Sequence, residues 1–422
     1  MAILQQFQGV IGIVAILALV WALSEDRRGV PSWRWTAAAL AAQLALALLI
    51  VRVPFMWSVM RLANGAVAAV EQATLAGSSY MFGYLGGAEL PFALKDDAQP
   101  PLIIAFQILP LVIVFSALAA LFWHWRILPL IVRGLSKLLQ KGLGVSGVVG
   151  LMGGTSLFLG VVEAPLVIRA YLERMSRAEL FQVMVLAMST ISGAILILYA
   201  TTLSDTLPDA VGHMIAASII SLPAALLVAR LMVPGGGATA EDRDAPGLKY
   251  AGTLDAIVQG TMDGLKLFLA VIAVIIVIFA LVALADQMLA LLPFVDGEAL
   301  SVKRIFGWLF APIMWAVGVG WSDAQTAGAL MGTKAILNEY VAYLELAALP
   351  EGTLTGRNLI ITTYALCGVA NLASIGLLVS TIGTLSPGRR AEAAGLGLKS
   401  WIAGNAATLM TAAVVGIVTP VV

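Results

Sequence analysis

Charged residues are scarce in this chain. Asp, Glu, Lys and Arg together make up 11% of its 422 residues, hydrophobic residues make up 60%, and the formal net charge at pH 7 is zero. Soluble globular proteins carry about 25% charged residues, so the composition predicts a polytopic membrane protein surrounded by a lipid bilayer. The balanced charge gives no reason to expect nucleic acid as a partner.

Residues that form disulfides or bind metals are also few. The single cysteine, Cys367, excludes an internal disulfide, and the two histidines, His124 and His213, are too far apart to form a metal-binding motif. The sequence has no H-E-x-x-H, G-x-S-x-G or Walker A motif, and no strand is predicted before the G-x-G-x-x-G match at 142–147. We therefore expect neither enzymatic activity nor a bound cofactor.

Eight hydrophobic segments are long enough to cross a membrane. They cover residues 10–23, 36–53, 102–123, 181–203, 211–233, 267–285, 359–382 and 400–418. The first lacks the basic n-region of a signal peptide and is interpreted as a transmembrane helix. If both termini lie in the periplasm, most Lys and Arg residues fall in inner loops, as the positive-inside rule predicts for a multi-pass protein of the bacterial inner membrane.

Two apolar stretches do not fit this alternation of spans. Residues 142–171 have basic residues on both sides, so both ends should lie on the inner face, whereas 307–346 must begin and end outside. Both are predicted to be re-entrant hairpins that enter the membrane from opposite sides. Each is followed by two spans, and this repeated order with opposite orientation is typical of an inverted repeat.

The first hairpin carries a carboxylate at membrane depth. Glu163 lies between Gly160 and Pro165, in the apolar stretch 157–166. A charge in the hydrocarbon core costs on the order of 2.5–3.5 kcal/mol, and the glycine and proline indicate a broken helix whose free backbone groups face protein or water. Such a site is typical of a transporter that binds its solute at mid-depth. A hairpin tip solvated among the headgroups is the alternative.

The second half of the chain has polar groups in matching places. Asn371 follows Glu339 at nearly the same distance as Ser192 follows Glu163, and a glycine close to each of these polar residues would let the span unwind. The pairing predicts that two carboxylates and two broken helices converge near the middle of the membrane. Taken singly, each serine or asparagine could equally join neighbouring helices.

Several longer strings are specific enough to point to one family. They are Gly77-Ser-Ser-Tyr-Met-Phe-Gly83, Phe106-Gln-Ile-Leu-Pro110, Gly160-Val-Val-Glu-Ala-Pro165, Ser189-Thr-Ile-Ser-Gly193, Gly332-Thr-Lys334, Asn338-Glu-Tyr-Val-Ala-Tyr343 and Cys367-Gly-Val-Ala-Asn-Leu-Ala-Ser-Ile-Gly376. With them the chain resembles the concentrative nucleoside transporter family over most of its length. The resemblance implies an all-α fold of eight spans and two opposed re-entrant hairpins, a homotrimer, and nucleoside uptake driven by a sodium or proton gradient with an elevator-like movement.

The resemblance also suggests a division of the chain into four parts. Residues 1–125 would be scaffold helices; within them the residues themselves predict an amphipathic interfacial helix at 52–76, with Trp57 and Arg61 suited to the headgroup region. Residues 126–233 would form the first transport repeat, 234–300 a polar linker at 235–247 followed by the sixth span, and 301–422 the second transport repeat.

By resemblance, both hairpins contribute to the substrate site. Glu339, Asn371 and Ser374 match the group that binds ribose, and a carboxylate and an amide suit this role because together they accept and donate hydrogen bonds to sugar hydroxyls. Glu163 matches the glutamate on the side of the base.

Three valines depart from the family pattern on the base side. Val161 and Val162 stand where the family commonly has Gln followed by Thr or Ser, and Val369 stands where an aromatic residue is frequent. An apolar wall discriminates poorly between polar isosteres, so base preference stays open. A cation-coupled symporter for another polar metabolite is the alternative function.

The family's cation site would fall on Ser156, Leu159, Thr190 and Ile191. Hydroxyl and freed carbonyl oxygens there would suit sodium, which we expect as the coupling ion. A proton carried by Glu163 or Glu339 is the alternative. The two glutamates could also form the acid/base pair of a membrane enzyme, but no nucleophile or metal motif accompanies them.

Overall fold

The structure is a computed structural model that describes residues 6–94, 102–235, 239, 248–295, 297–354 and 356–420. Within these ranges the chain is helical, with no strand beyond an isolated bridge between Val295 and Glu298. The longer helices, numbered in chain order, are α1 Gly9–Ala22, α2 Trp33–Arg52, α3 Pro54–Phe82, α4 Pro110–His124, α5 Ile127–Leu143, α6 Gly147–Thr155, α7 Arg177–Ser189, α8 Gly193–Thr202, α9 Ala210–Met232, α10 Thr253–Leu289, α11 Val302–Ala316, α12 Trp321–Gly332, α13 Glu339–Ala347, α14 Gly356–Leu366, α15 Leu372–Leu385 and α16 Arg390–Val418.

The predicted hydrophobic spans all fall on these helices. Six helical runs have the length and hydropathy to cross a membrane: Trp33–Arg52, Ile104–His124, Arg177–Thr202, Ala210–Met232, Thr253–Leu289 and Pro387–Val418. The first predicted span is the 14-residue α1, and the seventh is divided between α14 and α15. Because a straight helix needs roughly 20 residues to cross the hydrocarbon core, the count of eight spans stays a prediction.

The two predicted hairpin regions begin with the same arrangement of helices. The amphipathic α5 folds back on α6, and α11 folds back on α12 with a bend of 118°. The predicted second hairpin, 307–346, has its first residue inside α11 rather than at the start of a helix. Hydropathy alone does not show where α11 ends and the apolar α12 begins. After each pair comes a break, at 156–163 in the first half and in the π-helical turn Thr333–Leu337 in the second.

The spans after the hairpins are interrupted where glycines predicted it. Between α7 and α8, Thr190 and Ser192 have extended backbone, and α8 resumes at Gly193. Between α14 and α15, residues 367–371 leave the helix, and the side chain of Asn371 caps α15 by accepting from the backbone N–H of Ser374. The predicted breaks are confirmed, and they free backbone groups beside the hairpins.

Burial separates a central body from a peripheral layer. In the apolar 18-residue stretch of each run, 83% of the residues are buried in the runs that contain α7, α9 and α16, against 6% in α10. The peripheral α10 packs on α4 through Gly260 and Gly264, where an added Cβ at Gly264 would lie 2.7 Å from the Cα of Ile113. Small residues four apart allow this close approach of two helices.

The predicted interfacial helix is longer than expected, since α3 continues to Phe82. It contacts the start of α9, where Asn64 donates to Asp209 at 2.7 Å and the ring of Trp57 lies 5.1 Å from that of His213. The predicted linker 235–247 lies, apart from Gly235 and Thr239, outside the described residues.

Candidate functional site

A cavity of about 160 Å³ lies where the two hairpin regions and the two broken spans meet. We call it the central cavity; one face of α10 completes its wall. Ten of the eleven predicted site residues line it, namely Ser156, Leu159, Val161, Val162, Glu163, Thr190, Glu339, Val369, Asn371 and Ser374. The eleventh, Ile191, has a fully buried side chain that does not line the cavity, so only its backbone oxygen could serve a cation there.

Glu339 is the best-anchored polar group of the central cavity. The hydroxyl of Tyr199 donates to its Oε1 at 2.8 Å, and the Nδ2 of Asn371 donates to its Oε2 at 2.7 Å. The Oδ1 of Asn371 in turn accepts from the backbone N–H of Ser374 at 2.8 Å. All three predicted ribose ligands thus belong to one chain of hydrogen bonds, and Tyr199 is an additional member of it. Carboxylate oxygens have further lone pairs that can accept from hydroxyl groups.

Local helix breaks place these residues. Asn338 has extended backbone, and its side chain accepts from the N–H of Tyr340, so α13 begins at Glu339 directly after the π-helical turn. Asn371 begins α15 in the same manner. Glu339 and Asn371 therefore lie at helix N-termini, where the free N–H groups and the helix dipole stabilise negative charge.

Tyrosines missed by the sequence analysis surround Glu339. Tyr199 stacks on Tyr340 with ring centroids 5.4 Å apart and lies 4.9 Å from the ring of Tyr343. Spacing could have revealed Tyr199, because it follows Ser192 by seven residues, about two helical turns, and so shares its helix face. The aromatic cluster holds the donor hydroxyl in position beside the carboxylate.

Lys334 is a second buried titratable residue, in the π-helical turn just before Glu339. It is fully buried, and its Nζ donates to Oδ1 of Asn405 at 2.8 Å and to Oγ1 of Thr408 at 3.1 Å. A buried amino group requires hydrogen-bond partners, and Asn405 and Thr408 provide them.

Glu163 occupies the break of the first hairpin. The backbone N–H of Ala164 donates to Gly160 at 2.9 Å and closes the turn that holds Glu163 against the cavity. Of the ion pairs found among the described residues, none includes Glu163. Val161 and Val162 line the cavity beside it, so the wall next to this carboxylate is apolar, as the sequence suggested.

The predicted cation ligands join the first hairpin to the α7–α8 break. The hydroxyl of Thr190 donates to the carbonyl of Ser156 at 3.1 Å and to that of Leu186 at 3.0 Å. The hydroxyl of Ser156 donates to Gly153 at 3.1 Å. Both hydroxyl oxygens keep lone pairs for a hard cation such as sodium, so the chemistry of this donor set fits the predicted ion.

Helices interrupted inside the bundle, with two carboxylates around a buried cavity, define a secondary transporter. The sequence matches the models for the Na+ dependent nucleoside transporter N-terminus at 11–85, nucleoside recognition at 105–206, and the Na+ dependent nucleoside transporter C-terminus at 213–416. It is also 32% identical to the putative nucleoside permease NupX of Escherichia coli, over 97% of this chain and 98% of that protein. The chain belongs to the concentrative nucleoside transporter family.

Other relatives and solved structures agree with this assignment. The nucleoside permease NupC of Helicobacter pylori is 30% identical over 97% of this chain and 96% of its own length. A structure of CNTnw in an inward-facing substrate-bound state is 32% identical and covers 98% of both chains with a TM-score of 0.86. A doubly substituted CNTnw in an outward-facing state is 31% identical and covers 99% of both chains with a TM-score of 0.88. These relatives are transporters, and the expectation that the chain is not an enzyme is confirmed through them.

Proposed function

We propose that this chain imports nucleosides across the bacterial inner membrane as a symporter coupled to a sodium gradient, with elevator-type alternating access. The observation that carries the proposal is the Glu339 carboxylate, held by Tyr199 and Asn371 in the wall of a cavity that Glu163 also lines. Two acceptor groups at separate positions suit a solute with hydroxyls at one end and a polar ring at the other.

The ribose end binds at Glu339, Asn371 and Ser374. Two donors orient Glu339 before the solute arrives, so its remaining lone pairs accept from ribose hydroxyls at little cost in ordering. Loss of such a partner in a buried site leaves a polar group unpaired, which costs about 1–3 kcal/mol.

The base end binds at Glu163, beside Val161, Val162 and Val369. Glu163 accepts from an N–H of the base, while the valines provide an apolar surface without further polar contacts. Because such a surface discriminates weakly between bases, we expect uptake of both purine and pyrimidine nucleosides.

Sodium is the proposed coupling ion, held by oxygens of Ser156, Leu159, Thr190 and Ile191. The description of the matching family as Na+ dependent supports this choice, as does the donor set of hydroxyls and carbonyls without an added charge. The proposal extends to a homotrimer with both termini in the periplasm, and to residues 1–125 and 234–300 acting as the scaffold against which the two repeats move.

Uptake into proteoliposomes tests the function. Purified protein should accumulate labelled uridine and adenosine above equilibrium when a sodium gradient is imposed at constant pH, and a sodium ionophore should abolish the accumulation. Glu298→Gln, at an exposed carboxylate outside the cavity, should behave as the parent. Accumulation under a proton gradient alone would show that the coupling ion is a proton rather than sodium. Accumulation of neither nucleoside under either gradient would refute the nucleoside assignment.

A further inference from the structure

A second cavity, of about 80 Å³, lies on the other side of Glu163. We call it the inner cavity; it lies between the first hairpin, α4 and α10. Five residues line both cavities, namely Leu159, Gly160, Glu163, Ser192 and Leu267. The Glu163 carboxylate therefore lies in the wall between two spaces rather than at the end of one.

The order of residues along α10 shows how the two cavities are arranged. Gly260 and Asp263 line the inner cavity, and Leu267 lines both; further along the helix, the central cavity is lined by Ala270, Val271, Val274 and Ile275. Successive turns of one straight helix thus pass from one cavity to the other. The first turn of α10 adjoins Lys249, which the positive-inside rule places on the inner side. The inner cavity accordingly lies between the central cavity and the inner face.

The walls of the inner cavity suit a flat ring that carries N–H groups. Glu163 and Asp263 offer two carboxylates, and Asp263 is the acidic group whose charge acts on Glu163. Trp123 and Tyr250 provide aromatic surface, and Trp123 fixes the segment beside Tyr250 by donating from Nε1 to the carbonyl of Leu248 at 3.3 Å. The ribose-binding residues of the central cavity, including Glu339 and Asn371, do not belong to this lining.

We propose that the inner cavity is a second subsite, which holds the nucleobase end of the solute as it passes Glu163 on its way to the inner face. This inference rests on the proposed function. In this subsite Asp263 accepts from the base in addition to Glu163, and Tyr250 contacts the face of the ring. Asp263 is half exposed, and among the described residues its ion pair is with the neighbouring Lys266 at 3.0 Å, so its carboxylate can exchange that partner at small cost.

Protection of single thiols from a small maleimide tests the subsite in the full-length protein. The native Cys367 is fully buried, so the parent should label slowly. Ser116→Cys reports on the inner cavity and Ala373→Cys on the central cavity. Thr261→Cys is the matched control, because Thr261 is exposed on α10 between Gly260 and Asp263 but lines neither cavity.

We expect uridine or adenosine to slow labelling at 116 and 373 but not at 261. A free nucleobase should protect 116, whereas ribose should not. Asp263→Asn removes one charged acceptor, so it should raise the nucleoside concentration that gives half-protection at 116 about fivefold. The concentration that gives half-protection at 373 should change less than about twofold. Lys266→Gln, which keeps the Asp263 carboxylate, should have no such effect.

The outcomes separate this inference from the proposed function. Protection by nucleoside at 373 but not at 116 would overturn the subsite and leave the transporter assignment intact. Equal protection at 116 by ribose and by base would also overturn it, because a general conformational change would then explain the result. If nucleosides protect neither thiol, the proposed function itself is wrong.

Discussion

Single residues around Glu339 explain how a carboxylate is kept ready inside a hydrophobic protein. Tyr199 and Asn371 donate to its two oxygens, and its place at the start of α13 favours its charge. Each of these contributions is modest, and all act against the cost of removing a carboxylate from water. A ribose hydroxyl then meets an acceptor whose orientation is already set.

Replacement of Glu339 should weaken the binding of all nucleosides to a similar extent. Glu339→Gln removes a charged acceptor for hydroxyls that every nucleoside carries, so we expect KM to rise about tenfold or more for uridine and adenosine alike. Tyr199→Phe removes only one orienting donor and should have a smaller effect in the same direction. Uptake kinetics in proteoliposomes measure both, with Tyr80→Phe, at a tyrosine 94% exposed, as control. Loss of one nucleoside without the other would contradict the assignment of Glu339 to ribose.

Residues of the first hairpin should instead control the choice of base. Glu163→Gln exchanges an acceptor for a group that also donates, so we expect the ratio of KM values for adenosine and uridine to change by about tenfold, the effect of one hydrogen bond in a closed site. Val161→Gln combined with Val162→Thr adds polar contacts and should narrow the range of bases. Competition of unlabelled nucleosides against labelled uridine provides the measurement. An unchanged order of competitors in both variants would show that these positions do not face the base.

At the scale of elements, the positions of the helix breaks were predictable, but the side chains from other helices that contact the residues at those breaks were not. Glycines and polar residues inside apolar spans located the α7–α8 and α14–α15 breaks, because a helix that loses hydrogen bonds at depth needs such residues. Tyr199 was missed because a tyrosine in a long apolar run is equally typical of packing. The pairing of Lys334 with Asn405 joins the second hairpin to the last helix, and no periodicity within either element encodes it.

Close packing of α4 on α10 depends on glycine. Gly264→Ala places a methyl group 2.7 Å from the Cα of Ile113 and 2.9 Å from the Cβ of Ser116, so the helices must separate. Overpacking of this kind costs about 1–3 kcal/mol, and we expect a lower midpoint of thermal unfolding in detergent, followed by tryptophan fluorescence. Gly65→Ala is the matched control and should stabilise slightly, because Gly65 lies inside α3 and the described residues place no atom from beyond its own helical turns within 4 Å of the added methyl. Equal midpoints for the two variants would mean that α4 and α10 do not meet at Gly264.

For the molecule as a whole, composition, hydropathy and motifs were enough to predict the fold class and the residues of the central cavity. The two halves repeat the same order of elements, and polar residues from both halves line the central cavity. The similar spacings from Glu163 to Ser192 and from Glu339 to Asn371 predicted this meeting. The inner cavity was not predictable, since it needs α4, α10 and the first hairpin side by side. Contacts between elements that are distant in sequence depend on packing, which hydropathy does not encode.

One such long-range contact ties the loop after α1 to both halves of the bundle. The guanidinium of Arg177, at the start of α7, donates twice to Glu25, at 2.8 and 3.0 Å, and Lys399 of α16 donates to it at 2.7 Å. The hydrogen bonds from Arg177, together with Lys399, hold the pKa of Glu25 at about 2 despite its partial burial. A carboxylate with a depressed pKa stabilises the folded state above its unfolded pKa, near 4.3, and loses that contribution as the pH falls towards about 2.

The pH dependence of stability should therefore differ between the parent and Glu25→Gln. The cluster lies at the surface, where 27% of the Glu25 side chain is accessible, so screening by solvent reduces its contribution to about 1 kcal/mol. The parent should unfold at a higher temperature than the variant by a constant margin from pH 8 to pH 5, and the margin should shrink below pH 4.3 because the unfolded state then takes up a proton that the folded state does not. Glu351→Gln, at an exposed carboxylate without an ion pair among the described residues, should match the parent at every pH. A margin that grows on acidification would mean that Glu25 is not held in its charged form by Arg177 and Lys399.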